Sequence, residues 1–197
     1  MSVQEYRLTE EQSEVKREYL AGYVYAMAGA SEPHNRIASN LSGLLHGQLR
    51  GRPCESFGSD MQVLLKQPGG EYFYYPDAMI ACDPTDVGHG WRERPAALFE
   101  IVSESTRRSD EREKRLAYLG LGSLVAYVRI EQDQPAVIVE RRASNGGWEI
   151  VELHCLAAVA KLSGSLGMIT LPLAELYERV TFPAQAPAAR RDSPAHE

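Results

Sequence analysis

Residues 96–130 read AALFEIVSESTRRSDEREKRLAYLGLGSLVAYVRI, and this stretch decides the fold. Ala96 to Val102 is an apolar run interrupted only by Glu100, the pattern of a strand buried on both faces. Asp110 to Leu121 has helical spacing. Its acid-rich first turn of Asp110, Glu111 and Glu113 suits the positive end of a helix dipole. Leu124 to Ile130 is again strand-like. Strand, helix and strand in that order make a crossover unit, which predicts parallel strands joined by a right-handed connection. The expected class is therefore α/β: a mixed sheet flanked by helices.

Upstream, Asp60 to Lys66 (DMQVLLK) and Tyr72 to Cys82 (YFYYPDAMIAC) flank the turn sequence Gln67-Pro68-Gly69-Gly70. They are expected to pair as a hairpin and to join strand 96–102 in one sheet. Ser31 offers an N-cap and Pro33 an early proline. Ile37, Leu41, Leu44, Leu45 and Leu49 then follow at helical spacing, so a long amphipathic helix is expected over 34–50, packed on that sheet. Tyr19 to Met27 reads as a hairpin or bent strand around Gly22, and a short helix is expected near Glu10–Lys16. Downstream, Val137–Arg141 and Trp148–Leu153 flank Asn145-Gly146-Gly147 as another hairpin, and Leu171–Tyr177 reads as a final helix. One domain over 1–182 is expected, followed by a disordered Pro-, Ala- and Arg-rich tail over 183–197.

The chain has 197 residues, 44% of them hydrophobic, enough for one well-filled core, and a formal net charge of -6. An acidic chain argues against indiscriminate coating of nucleic acid, while leaving room for a local basic groove. Cys54, Cys82 and Cys155 form no Cys-x-x-Cys pattern. They read as three small, partly buried hydrophobes in a reducing cytosol. The polar N-terminus carries no apolar signal core, and no apolar run approaches the roughly 20 residues that span a bilayer. A soluble, cytoplasmic protein is expected.

Two acids stand out by position. Asp77 follows Pro76 inside an apolar stretch, and Glu100 interrupts AALFEIV. A lone buried carboxylate is costly and either neutralises or finds a cation. Two of them on adjacent strands can share one, and oxygen ligands of this kind suit Mg²⁺ or Mn²⁺. For either acid alone, pairing with an arginine or capping a turn is the plainer reading. Lys114 shares a helix face with Ala117, Tyr118 and Leu121, so it either snorkels past the sheet edge or reaches a carboxylate site.

The segments YYPDAMIACDP (74–84), ALFEIVSESTRRSDEREKRLAYLGLGSLVAYVRI (97–130) and REYLAGYVYAMAGASEPHNRIASNL (17–41) resemble the Uma family of restriction-endonuclease-like proteins, within the PD-(D/E)XK nuclease superfamily. The resemblance implies a restriction-endonuclease-like core and metal-dependent hydrolysis of DNA. It implies Asp77 and Glu100 as metal ligands, aided by the backbone carbonyl at Ile101. It makes Lys114 the catalytic lysine, displaced from position 102, where Val102 stands. Glu18 matches an upstream catalytic acid. His34 matches an accessory histidine, and Arg107 and Arg108 a basic stretch facing phosphate. The chain departs from the family pattern at Glu104, where proline is usual, and at Val128, where tryptophan is common. A non-catalytic nucleic-acid-binding or regulatory protein on the same fold is the competing reading. A carboxylate glycosidase is a third, supported by the acids alone. A homodimer is compatible, because one site cuts one strand at a time.

Overall fold

The structure is a computed structural model that describes residues 1–27, 29–88, 90–102 and 110–183. The expected tail over 183–197 lies, apart from Pro183, outside the described residues. Helix α1 (Val3–Glu10) leads into strands β1 (Arg17–Leu20) and β2 (Tyr23–Ala26), then the long helix α2 (Glu32–Leu49). Strands β3 (Glu55–Gly58), β4 (Gln62–Gln67), β5 (Gly70–Tyr74), β6 (Ala78–Ala81), β7 (Trp91–Arg92) and β8 (Pro95–Val102) follow. Helix α3 (Asp110–Leu119) connects β8 to β9 (Ala126–Glu131). The chain continues through β10 (Val137–Arg142), β11 (Trp148–Leu153), β12 (Val159–Leu162) and β13 (Ile169–Pro172) to α4 (Leu173–Leu176).

A six-stranded sheet in the order β11-β10-β9-β8-β6-β3 forms the centre, with β8 and β9 parallel as the crossover predicted. Its central strands β6, β8 and β9 are buried on both faces. On one side Ala97, Phe99, Ile101, Val128 and Ile130 meet Ile37, Leu41, Leu45 and Leu49 of α2. Removing such side chains from water contributes about 1.5–3 kcal/mol each, which fixes α2 to the sheet. On the other side Leu98, Met79 and Tyr127 meet Ala117 and Tyr118 of α3, together with Val63, Leu65 and Tyr74. Those last three belong to a second, five-stranded sheet, β2-β1-β5-β4-β7. Its outer face packs Tyr19, Leu64 and Phe73 beneath Tyr6 of α1.

The second sheet corrects the sequence reading. β4 and β5 pair antiparallel as expected. Residues 72–82, however, do not form one strand. The chain leaves the small sheet after Tyr74 and enters the large one at Ala78, so only β6 joins β8. The break falls at Pro76, which lacks a ladder donor and restricts the residue before it. The N-terminal helix spans Val3–Glu10 and not 10–16. Ser2 and Glu5 close a reciprocal capping box at its start. Residues 169–172 form a strand before α4, where helix was expected from 171.

Cys54 and Cys82 are joined by a disulfide. β3 pairs antiparallel with β6, with Glu55 opposite Ala81, so the register carries positions 54 and 82 to facing sites. A separation of 28 residues hid this adjacency. The reading of three unpaired thiols therefore fails for two of them. Cys155 is free and exposed. Among the described residues no helix is long and apolar enough to cross a membrane.

Candidate active site

The site forms where the two sheets meet α3 and the start of α2. Asp77 stands in the switch between sheets, one residue before β6. Its backbone N–H donates to the Phe99 carbonyl at 3.0 Å, continuing the ladder for one step. Its carboxylate then takes the place of a further strand residue, with Oδ2 accepting the Ile101 N–H at 2.6 Å. The Asp77 carboxylate thus lies beyond the end of β6, bonded to the edge of β8. Backbone polar groups alternate sides along a strand, so the Ile101 carbonyl turns to the same vacated side. Asp77 Oδ1 lies 3.1 Å from His34 Nε2. His34 is placed by the first turn of α2, where its N–H donates to the Ser31 cap. Its Nδ1 is buried with no hydrogen-bond partner among the described residues.

Glu100 shares the sheet face of Leu98, towards α3. Tyr118 donates its hydroxyl proton to Glu100 Oε1 at 3.0 Å. Lys114, one turn earlier on the helix, brings Nζ to 4.0 Å from the same oxygen and to 2.7 Å from Glu18 Oε1. Glu18 arrives from β1 and also accepts the N–H of Tyr75 at 3.1 Å. That bond satisfies a backbone donor stranded where the chain changes sheets. Lys114 Nζ also sits 5.5 Å from the centre of the Tyr74 ring. The lysine therefore does not snorkel to solvent, since its side chain is only 15% exposed.

Three carboxylates meet one ammonium in this pocket. Burial pushes the Glu100 carboxyl up to about 8; Lys114 opposes the shift, while the charges of Asp77 and Glu18 add to it. For Lys114 burial favours the neutral amine. The charges of Glu100 and Glu18 outweigh it and hold the ammonium above its ordinary range. The cluster is short of positive charge, and its donors are hard oxygens. That set fits Mg²⁺ or Mn²⁺. Among the described residues no three His, Cys, Asp or Glu side chains gather into a metal cage. A cation here would rest on two carboxylates, a backbone carbonyl and water, the sparse protein ligation that Mg²⁺ accepts.

Helix α3 owes its position to a second buried acid. Glu140 of β10 is fully buried and accepts from Arg115 Nε at 2.7 Å, from Arg115 Nη2, and from Arg129 Nη2 at 3.2 Å. Arg115 follows Lys114, so the same turn of helix is clamped on one side and aimed into the site on the other. Removing one member of a buried pair strands the rest and costs about 3–5 kcal/mol. Glu140→Ala is expected to lower the thermal midpoint by roughly 6–20 °C at this chain length, as read by circular dichroism. An unchanged midpoint would show that Arg115 and Arg129 find other partners.

The structure thus brings together five residues singled out from sequence: Glu18, His34, Asp77, Glu100 and Lys114. Arg107, Arg108 and Glu104 lie outside the described residues. Val128 is buried in the core on the α2 face, away from Glu100. Tyr118 was not assigned a role from sequence, although its place one turn after Lys114 on the same helix face was the available signal. Asp77 also lines a cleft of about 250 Å³ bounded by Ala38, Ser42, Ser56 and Ser59. A larger hollow of about 500 Å³ along α1, lined by Val3, Arg7 and Leu8, gathers no comparable set of chemical groups.

Comparison with known proteins identifies the family and the fold. Residues 3–174 match the family Uma2, described as "Putative restriction endonuclease". Two relatives come from Synechocystis sp. (strain ATCC 27184 / PCC 6803 / Kazusa), both named as uncharacterized proteins. One, sll1609, is 31% identical over 156 residues, covering 78% of this chain and 87% of its own length. The other, slr1290, is 29% identical over 152 residues, covering 77% and 79%. A solved structure from Anabaena variabilis ATCC 29413, described as "a putative nuclease belonging to DUF820", superposes with a TM-score of 0.66 at 16% identity. It covers 84% of this chain and 91% of its own, a likeness that shows the shared fold.

Proposed function

This chain belongs to the Uma2 family, and from that premise we propose that it is a metal-dependent endonuclease that hydrolyses DNA phosphodiester bonds at the Asp77–Glu100–Lys114 site. The observation that carries this reading is the buried meeting of Glu18, Asp77 and Glu100 with one lysine, drawn from two sheets and a helix. Asp77, Glu100 and the Ile101 carbonyl would hold Mg²⁺ or Mn²⁺. Such an ion supplies Lewis-acid polarisation of a phosphoryl oxygen and lowers the pKa of water.

The chain's own residues do the rest. Asp77 is held in place by the Ile101 N–H and by His34, and Glu100 by the Tyr118 hydroxyl. Partners of this kind orient ligand carboxylates and sustain affinity. Lys114, steadied by Glu18, presents a positive charge where negative charge develops on the phosphoryl group. Its position in a partly dry pocket strengthens that attraction relative to water. Cutting both strands of a duplex would take two such sites, which favours a homodimer on the substrate.

The test is incubation of plasmid DNA with the purified chain in Mg²⁺, in Mn²⁺ or in EDTA. Nicked or linear product is expected with either metal and none with EDTA. Binding without cleavage in every condition would favour a non-catalytic nucleic-acid-binding protein on this fold.

A further inference from the structure

Sheet register places two exposed tyrosines beside the site. In the β1–β2 hairpin Tyr25 lies opposite Glu18, and Tyr23 opposite Leu20. Directly opposed residues share a sheet face with Cβ atoms about 4.5–5.5 Å apart. Leu20 in turn registers with Tyr72 of β5 and packs into the core beneath α3. Glu18, Leu20, Tyr23 and Tyr25 therefore look the same way, towards the catalytic face. Tyr72 and Tyr74 continue this surface inwards, their rings stacked at 6.2 Å.

The inner part of this aromatic row is covered and the outer part is not. Tyr74 is 1% exposed, whereas Tyr25 is 54% and Tyr23 70% exposed. Among the described residues neither outer ring packs on another aromatic ring. They sit on β2, one of the two edge strands of the small sheet. Alternate strand residues on one face are about 6.6–6.8 Å apart, twice the roughly 3.4 Å rise between stacked bases. An acidic chain whose site holds three carboxylates also needs a source of affinity for nucleic acid other than bulk charge. Stacking of bases on aromatic rings is one, and it tolerates any sequence.

We propose that Tyr25 and Tyr23 form a base-stacking platform that seats unpaired nucleotides of a single-stranded nucleic acid next to the scissile phosphate. The proposal rests on the nuclease reading of the same site. It makes the preferred substrate a strand with accessible bases: single-stranded DNA, a flap or a frayed end. A base on Tyr25 sits one strand away from Glu18 and its Lys114 partner, so the adjoining phosphate falls at the carboxylates. Duplex DNA hides its base faces and would gain little from these rings.

Binding is measured in EDTA, so that it is separate from metal-dependent cleavage. The probe is a single-stranded oligodeoxynucleotide carrying 2-aminopurine, whose fluorescence is quenched on stacking. Wild type is expected to bind and quench it, and to bind the matched duplex and an abasic strand more weakly. Tyr25→Ala and Tyr23→Ala should each weaken binding about 5- to 150-fold and remove quenching. Tyr25→Phe should retain both. Both positions are exposed, so thermal midpoints should stay close to wild type. Absence of binding by wild type, equal affinity for the abasic strand, or unchanged affinity in both alanine variants overturns the proposal. So does a result in which the alanine variants alter only self-association. Metal-dependent plasmid cleavage preserved alongside such a failure would leave the nuclease reading standing. Quenching by wild type without cleavage in any metal would retain the platform and remove the nuclease reading.

Discussion

Asp77→Asn is expected to abolish metal-dependent cleavage while leaving the chain folded. Asparagine keeps the shape of the side chain and an oxygen that can still accept the Ile101 N–H, so the edge of β8 loses no partner. What disappears is the charge that, with Glu100, makes a cation welcome. Loss of an outer-shell partner already costs about 10–100-fold in metal affinity, and loss of a ligand charge should exceed that. Calorimetric titration with Mn²⁺ should show binding by wild type and little by the variant, with thermal midpoints close together in EDTA. Asp77→Ala is the harsher change. It leaves a buried N–H unpaired at a cost of about 1–3 kcal/mol and so confounds ligand loss with instability. Full cleavage activity in Asp77→Asn would remove this carboxylate from the mechanism.

The central crossover was legible because its signals agreed. The run 96–102 has the length and composition of a buried strand, α3 follows with an acid-rich start, and β9 closes the unit. Glu100 was visible as the one polar break in an apolar run. Asp77 was visible as a carboxylate after proline in another. The sheet switch between Tyr74 and Ala78, in which Asp77 stands, was not. Tyr72 to Cys82 is apolar throughout because both halves are buried, each in a different sheet. Hydropathy reports burial and says nothing of which neighbours provide it. Pro76 was the only local hint of a break.

Glu18 shows the same limit from the other side. In sequence it is an ordinary acid in a short polar-apolar hairpin, marked out by the family resemblance and by nothing in its own pattern. It becomes a site residue only because β1 pairs with β5, bringing Tyr19 opposite Phe73 across more than fifty residues of chain. The disulfide partners are hidden for the same reason. The capping box of α1 is different, since Ser2 and Glu5 stood at the right spacing. Its helix was obscured because Tyr6 is its one buried residue, leaving no apolar stripe to follow.

Lys114→Met is expected to lower both cleavage and stability, because sequence left the lysine between two readings and the geometry favours one. Methionine keeps the length and helix propensity and deletes the charge. Cleavage is expected to fall about 100-fold or more, the scale seen when one electrostatic stabiliser of a transition state is lost. A lysine on an apolar face would suggest that its removal stabilises the fold. The structure points the other way. Lys114 is the cation within 2.7 Å of Glu18 and 4.0 Å of Glu100, so in EDTA the variant leaves two buried carboxylates facing each other. Breaking a buried pair costs up to about 3–5 kcal/mol, reduced here by the ease with which Glu100 holds a proton. Mg²⁺ should then raise the thermal midpoint more in Lys114→Met than in wild type, since the competing ammonium has gone. The measurement pairs thermal unfolding, with and without Mg²⁺, with cleavage rates, and uses Asp77→Asn as the inactive control. A lowered midpoint with unchanged cleavage would make Lys114 a structural counter-ion of Glu18, and the cation facing phosphate would have to come from Arg107 or Arg108.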